Sequence, residues 1–445
     1  MSFRIRRFLF YSLVFLFALT GLTIVFYSRG WRINIDDCRF VGLSVCRFKI
    51  QKTGAIFIQT KPQSAVIKID EKTFEDKSGL IQSGTLIDNL LPRKYQLTVS
   101  KNGYWEWRKN LRVQSGLVTE VKDILLVPRE IKKESIDLPR IRGEEMETVN
   151  EDGDKIILQD LRSNLYYLYD LNNKETISNI TLHFKNQGGR GSIKMASFHP
   201  FDFEKLIIES DRGLYILDIL RSNLETIATS TPPAWIVSNS NLYYLKEDAA
   251  RKLYLASFNL IVKTENLLAG LPSSTPGSKA TAIEISASGK KIALLDNLGD
   301  LYLFDQQLRN FEKIAHDARL LSFSPDSNKI AFLDYSNKLN ILFLEDSNLN
   351  NFKSAGEKVE FILEEEMLSI DWYKDSYHLL LTKTDKEDRL LSASIKLELM
   401  EIDDREPTNR FPLLEAQTDR FFYNPNSGFI YFLENSKLYR ASFDE

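Results

Sequence analysis

Residues that carry chemistry are scarce in this sequence. Its 445 residues include two cysteines and four histidines, too few to furnish a Cys/His metal centre of any ordinary kind. No G-x-S-x-G elbow is present, so a serine hydrolase of the nucleophile-elbow type lacks its nucleophile. There is no H-E-x-x-H pair, and the one glycine-rich run, Gly188-Gly189-Arg190-Gly191-Ser192, lacks the lysine of a phosphate-binding loop. It reads as a flexible inter-strand loop, and no cofactor is expected. Positive charge is also missing where a nucleic-acid partner would need it. The net charge is −3, and the first 35 residues hold Arg4, Arg6, Arg7, Arg29 and Arg32 with no acid, so the remainder stands at −8. An acidic bulk offers no basic face to phosphates. What is abundant is apolar: 43% hydrophobic and 11% aromatic residues, enough to fill the cores of two or three folded domains.

The longest apolar run is Phe8 to Tyr27, FLFYSLVFLFALTGLTIVFY, with no charge in it. As a helix it spans a hydrocarbon core of about 30 Å. Tyr11 near one end, and Tyr27 and Trp31 at the other, suit the membrane interfaces, and Arg4, Arg6 and Arg7 favour a cytoplasmic N-terminus. The rival is a cleaved signal peptide. The exit Phe26-Tyr27-Ser28-Arg29 offers no small-residue cleavage site and no lipobox cysteine. The expectation is a cytosolic tail at 1–7, a transmembrane helix at 8–27, and the bulk outside the cytoplasm in a single-pass cell-membrane protein.

Residues 28–53 form a connector. Cys38 and Cys46 flank seven residues there. The spacing suits a hairpin closed by a disulfide, and equally two unpaired, partly buried thiols. From 54 to 128 β signals are dense. Ala65 to Asp70 alternates, Asn102-Gly103 marks a hairpin, and about six or seven short strands make a small β-sandwich, with a polar loop from Glu71 to Gly84. Trp105 and Trp107 share a strand face; packing is the favoured role over an exposed binding pair. Pro62 and Ala65, Pro92 and Tyr95, and the Gly103-Tyr104 pair then carry a resemblance to the PEGA domain family. Ser64 and Arg93 depart from it where that family prefers glycine. The resemblance implies a non-catalytic spacer or interaction module of cell-envelope proteins.

From 129 onward a unit repeats. Leu321 to Leu344 reads as strand, turn at Ser324-Pro325-Asp326-Ser327, strand and strand. Ile283 to Phe304 matches it at an offset of 38 and Ile370 to Ser376 at an offset of 49. Further copies open at Glu151, His199 and Tyr423, a faint one runs from Trp235, and Ile131 to Leu138 offers a first or closing strand. Seven units over residues 131–445 average 45 residues, the period of a four-stranded propeller blade. The Phe-Ser-Pro-Asp-x-x-Lys-Ile-Ala-Phe unit resembles TolB-type and WD-like propeller repeats, without the Gly-His and Trp-Asp dipeptides of true WD repeats. The fold class expected is mainly β: a transmembrane helix, a PEGA-like sandwich and a β-propeller, seven-bladed, with six or eight as alternatives.

No residue stands out as catalytic, metal-binding or cofactor-binding. His183, His199, His316 and His378 are isolated, and His199 and His378 sit inside repeat units as packed or turn residues. Asp326, Asp375 and Asn426 recur at one repeat position, which marks turn chemistry. Glu364-Glu365-Glu366 reads as a solvated edge. Thr229 to Pro233 and Leu271 to Ser278 are candidate face loops. The reading is a membrane-anchored, non-catalytic envelope protein whose propeller face binds a protein or glycan. The alternatives are a glycan-acting propeller enzyme with carboxylates at the channel mouth, and a spacer with no ligand.

Overall fold

The computed structural model describes residues 3–36, 47–77, 83–138, 144–249, 252–272, 280–347, 352–384 and 394–443. Cys38 and Cys46 lie outside the described residues, as does most of the Leu271–Ser278 loop. Two compact units divide the chain. One is Met1–Leu126 with Asn348–Phe352 and Arg405–Asn409; the other is Val127–Ser347 with Lys353–Asp404 and Arg410–Glu445.

The first unit opens with a helix, Phe3–Ser28. Its Ile5–Ser28 stretch is long and apolar enough to cross a membrane. The helix takes in Arg4, Arg6 and Arg7. Thr20 and Thr23 turn their hydroxyls back onto the carbonyls of Leu16 and Leu19, at 2.9 and 2.7 Å. That satisfies these two hydroxyls within the helix itself. A hairpin of Trp31–Asp36 with Arg47–Lys52 follows.

Seven strands then build two small sheets. Gly54–Lys61 lies between Thr85–Leu90 and a parallel Val118–Leu125; Val66–Ile69 and Lys94–Ser100 are flanked by Lys72–Glu75 and Trp107–Arg112. Strict alternation along Trp107–Arg112 buries Trp107 and Leu111 against Ile67, Leu97 and Val99. Trp107 is thus a core residue. The polar loop expected over Glu71–Gly84 contains the edge strand Lys72–Glu75, whose side chains stay outside, so no apolar alternation announced it. Ser64 holds φ at 64°, the left-handed region that glycine occupies freely. Its amide donates to Asp76 Oδ2 at 3.0 Å, a bond that needs no side chain. Ser64→Gly is therefore expected to leave the fold unchanged and to raise stability by about 0.5–1 kcal/mol. Thermal unfolding checks this, and a lower melting temperature would contradict it.

In the second unit the described residues form seven four-stranded antiparallel sheets. In chain order the first six cover 144–179, 193–228, 235–270, 280–315, 318–362 and 367–416. The seventh joins Phe422–Tyr423, Ile430–Glu434 and Lys437–Ala441 to Lys133–Ile136, which arrives from the start of the unit as the outermost strand. Strands from the two ends of the unit thus complete one sheet.

Shared cores close the ring. Sheets one and two meet through Ile157, Phe184 and Leu206, and two and three through Ile207 and Leu242. Sheets three and four meet through Leu245 and Ile292, four and five through Leu295 and Phe332, and five and six through Leu339 and Ile370. Tyr373 of sheet six stacks near Tyr423 and Phe443 of the seventh region, with ring centroids 5.6 and 5.2 Å apart. Tyr431 of sheet seven packs on Met146 and Ile156 of sheet one. Each sheet buries both faces against its neighbours, which is how a β-propeller hides strands rich in Ile, Leu and Phe.

The turns after the first strands repeat as well. Ser324 N–H bonds to Lys329 O at 2.9 Å, and the same closure recurs at Asn150, Ser286, Tyr373 and Asn424. Asp326 Oδ1 accepts from Asn328 N–H, while its Oδ2 takes the buried Lys329 ammonium at 2.6 Å. Asp375 does the same for Tyr377 N–H and the His378 ring, 2.7 Å away. Burial pushes the Asp375 carboxyl up, but the neighbouring His378 and the backbone donors hold it below its ordinary value. Between sheets one and two, Ile180–Asn186 is a short helix capped by Asn179, whose side chain accepts from Leu182 N–H. Gly189 N–H closes onto Phe184 O at 2.9 Å. The glycine-rich run follows this helix: Gly188 and Gly189 close its last turn, and Arg190 to Ser192 lead into the next strand.

Candidate functional site

Ring geometry places the first strand of each sheet around the centre. In five of these strands a β-bulge interrupts the pairing, at Glu147, Lys194, Thr281, Arg319 and Leu368. A bulge re-aims one side chain and twists the strand. Arg319 spans from sheet five to sheet six, donating to Met367 O at 2.9 Å and to Asn337 Oδ1 at 2.7 Å.

Two residues before the repeated turns, five of the sheets carry a polar residue, Thr148, Ser197, Glu284, Ser322 and Asp371, while sheet seven has Phe422 there. Their neighbours in sequence are buried apolar residues, such as Ile283 and Ile285, or Ile370 and Trp372. Asp371 is open to water, yet burial by the surrounding protein raises its carboxyl to about 6, with only Ser369 opposing through a 3.4 Å hydrogen bond. Asp371 thus sits in a solvent-reachable recess walled by protein. Burial raises the Glu284 carboxyl to about 8, and the Asp371 charge adds to that. Sheets four and six are not neighbours, so these two carboxyl groups sense each other across the centre. Nearby on sheet one, burial lifts Glu147 to about 6; Arg420 opposes this and Glu145 adds to it.

A groove of about 490 Å³ lies between the turns of sheets two and three. His199, Asp202, Lys205, Arg221, Glu225 and Lys263 line it, with exposed Phe201 and Ile261. Lys205 pairs with Asp202 at 2.5 Å and Lys263 pairs with Glu225. Burial and the adjacent Lys205 hold the His199 imidazole below its ordinary pKa.

The residues singled out from sequence fall apart in space. His183 is on the short helix, and His378 is buried beside Asp375. His316 Nδ1 lies 2.8 Å from Asp300, which also binds Lys313. The acidic run is not simply solvated: Glu365 joins Lys383, Glu398 and Arg410 in an ion network. Among the described residues, no group of three or more His, Cys, Asp or Glu stands close enough to hold a metal ion. Glu284 and Asp371 were not singled out. The available signal was an acid at one aligned repeat position in two copies.

No family model matches the chain, and no curated protein matches it. Solved structures do. The β-propeller domain of Cps50 (Swd1) from Myceliophteria thermophila is 11% identical and aligns over 70% of this chain and 99% of its own, with a TM-score of 0.48. Hydrazine synthase from Kuenenia stuttgartiensis is 13% identical over 69% of this chain and 96% of its own, with a TM-score of 0.46. The propeller assignment rests on the strand pairing above, not on these likenesses.

Proposed function

We propose that the chain is a single-pass cell-membrane protein. Residues 8–27 cross the bilayer, the N-terminus is cytoplasmic, and a PEGA-like spacer and a seven-bladed propeller stand outside. The propeller is non-catalytic and binds a protein or glycan partner over its central opening. The observation that carries this reading is the set of polar groups at one repeated strand position, Glu284, Asp371, Ser197, Ser322 and Thr148, each flanked on at least one side by a buried apolar residue. Carboxyl and hydroxyl groups held around a solvent-reachable recess suit a polyhydroxylated or polar ligand. An apolar helix with its hydroxyls internally satisfied supports the anchor.

One observation favours a second reading, a glycan-acting enzyme. At neutral pH Glu284 is protonated and Asp371 is mostly ionised, the opposite states that a general acid and a general base require. The full chain in detergent, incubated with cell-envelope polysaccharide, separates the two. The binding reading predicts retention of the polysaccharide without new reducing ends, and weaker retention in both Glu284→Gln and Asp371→Asn. New reducing ends, lost in each variant, would establish the enzyme instead. No retention and no cleavage, with protein partners also absent from cell crosslinking, would leave only a spacer.

A further inference from the structure

The turns joining the third and fourth strands of sheets two, three and four share one design. They run Asp218–Asn223, Asn259–Thr264 and Asp305–Asn310. In each, the first side chain accepts backbone N–H groups. Asp218 takes Arg221 N–H at 2.8 Å; Asn259 takes those of Ile261 and Val262 at 3.0 and 2.9 Å; Asp305 takes those of Gln307 and Leu308 at 2.8 and 3.0 Å. Ser222, Lys263 and Arg309 each hold a left-handed φ, of 50°, 56° and 53°. Rigid turns of this kind fix what their tips present.

Each tip presents an apolar residue followed by a basic one: Leu220-Arg221, Val262-Lys263 and Leu308-Arg309. The apolar members are 68%, 67% and 72% exposed, and Phe201 and Ile261 beside them are exposed too. Equivalent turns of successive sheets lie on one face of a ring, so the tips form a row. Four acids of this region, and two of its lysines, are engaged within it. Asp218 and Asp305 cap their own turns, Glu225 pairs with Lys263, and Asp202 pairs with Lys205. Among the described residues, neither Arg221 nor Arg309 has an ion pair.

We propose that this row of tips docks on an anionic lipid surface. Exposed aliphatic groups enter the boundary between headgroups and acyl chains, and the guanidinium groups beside them meet lipid phosphates. Charge complementarity names the occupant, and the chain's own membrane-crossing helix supplies a bilayer at high effective concentration. The inference rests on the anchoring reading.

The test uses the full chain in nanodiscs containing a lipid with a photoreactive headgroup. One set has phosphatidylcholine alone, the other adds phosphatidylglycerol, and adducts are mapped after irradiation. The proposal expects adducts at Leu220-Arg221, Val262-Lys263 and Leu308-Arg309 in the anionic discs. They should fall several-fold in neutral discs, at high salt, and in the Arg221→Glu/Arg309→Glu variant. Leu161-Arg162, an exposed pair on the opposite face of the ring, should stay unlabelled. Adducts confined to the helix 5–28 would leave the anchor standing and overturn the docking face. Equal labelling of Leu161-Arg162, or equal labelling in both lipids, would also overturn it. A helix without adducts would overturn the anchor and this inference together.

Discussion

Ile136→Asp is expected to destabilise the propeller by roughly 4 kcal/mol, because it places an unpaired carboxylate in a dry interface. Ile136 pairs opposite Leu438 and is 5% exposed, packed with Met146, Val149, Ile156 and Tyr431. Its strand is the one part of the last sheet that comes from the beginning of the unit. Arg440 Nε holds Glu134 at 2.7 Å across the same pairing, and the Lys133 ammonium lies 5.2 Å from the Phe432 ring centroid. Loosening this strand uncovers sheet seven on one side and, through Tyr431, sheet one on the other. Hydrogen exchange should therefore speed up first in sheets one and seven. Ile136→Val, which removes one methyl group, should cost only about 1 kcal/mol. Thermal and denaturant unfolding of the full chain in detergent measure both. An Asp variant with the parental stability would mean that these residues do not close the ring.

Glu284→Gln should make the protein more stable at alkaline pH and leave it unchanged near pH 4. The sign follows from linkage. The ordinary glutamate value is 4.5 and the folded value is about 8. Folding therefore favours the protonated form. Its contribution is complete below pH 4.5, declines as pH rises, and is lost once pH passes 8. The amide has no proton to lose and escapes that decline. Channel water screens part of the effect, so the gain above pH 8 should be about 2 kcal/mol. Asp371→Asn should bring the end of the Glu284 decline to a lower pH, since the Asp371 charge is part of what raises Glu284. Melting temperatures between pH 4 and 9 check this. A Gln variant that gains stability at acid pH, or that tracks the parent throughout, would show that Glu284 does not face this recess.

The propeller was legible because its signal is local and repeated. The segment Leu321 to Leu344 divides into strands and turns by its own alternation and its Ser-Pro-Asp-Ser turn. The copies at Ile283 and Ile370 keep the same order of apolar strand, turn and apolar strand, with Lys291-Ile292-Ala293 repeating Lys329-Ile330-Ala331 and Asp375-Ser376 repeating Asp326-Ser327. Lys133–Ile136 could be read as a strand, but its partner lies at the far end of the chain, a pairing that no local pattern encodes. The bulges were invisible for a related reason. Inserting one residue breaks the period of two that identifies a strand, so Glu147, Lys194, Thr281, Arg319 and Leu368 carried no mark of their place at a bulge. The helix Ile180–Asn186 is short, and its cap Asn179 looks like any loop asparagine. Glu284 and Asp371 come together only when sheets four and six, with sheet five between them, are set around one centre. The edge strand Lys72–Glu75 was missed because it buries almost nothing.

The account depends most on a membrane-tethered chain whose bulk stands on the outer side. Protease treatment of intact cells, or of spheroplasts where an outer membrane intervenes, followed by carbonate extraction, tests it directly. The account predicts loss of the propeller from outside and a short N-terminal fragment retained in the carbonate-resistant membrane. A fully protected propeller, or a chain that carbonate releases whole, would contradict it.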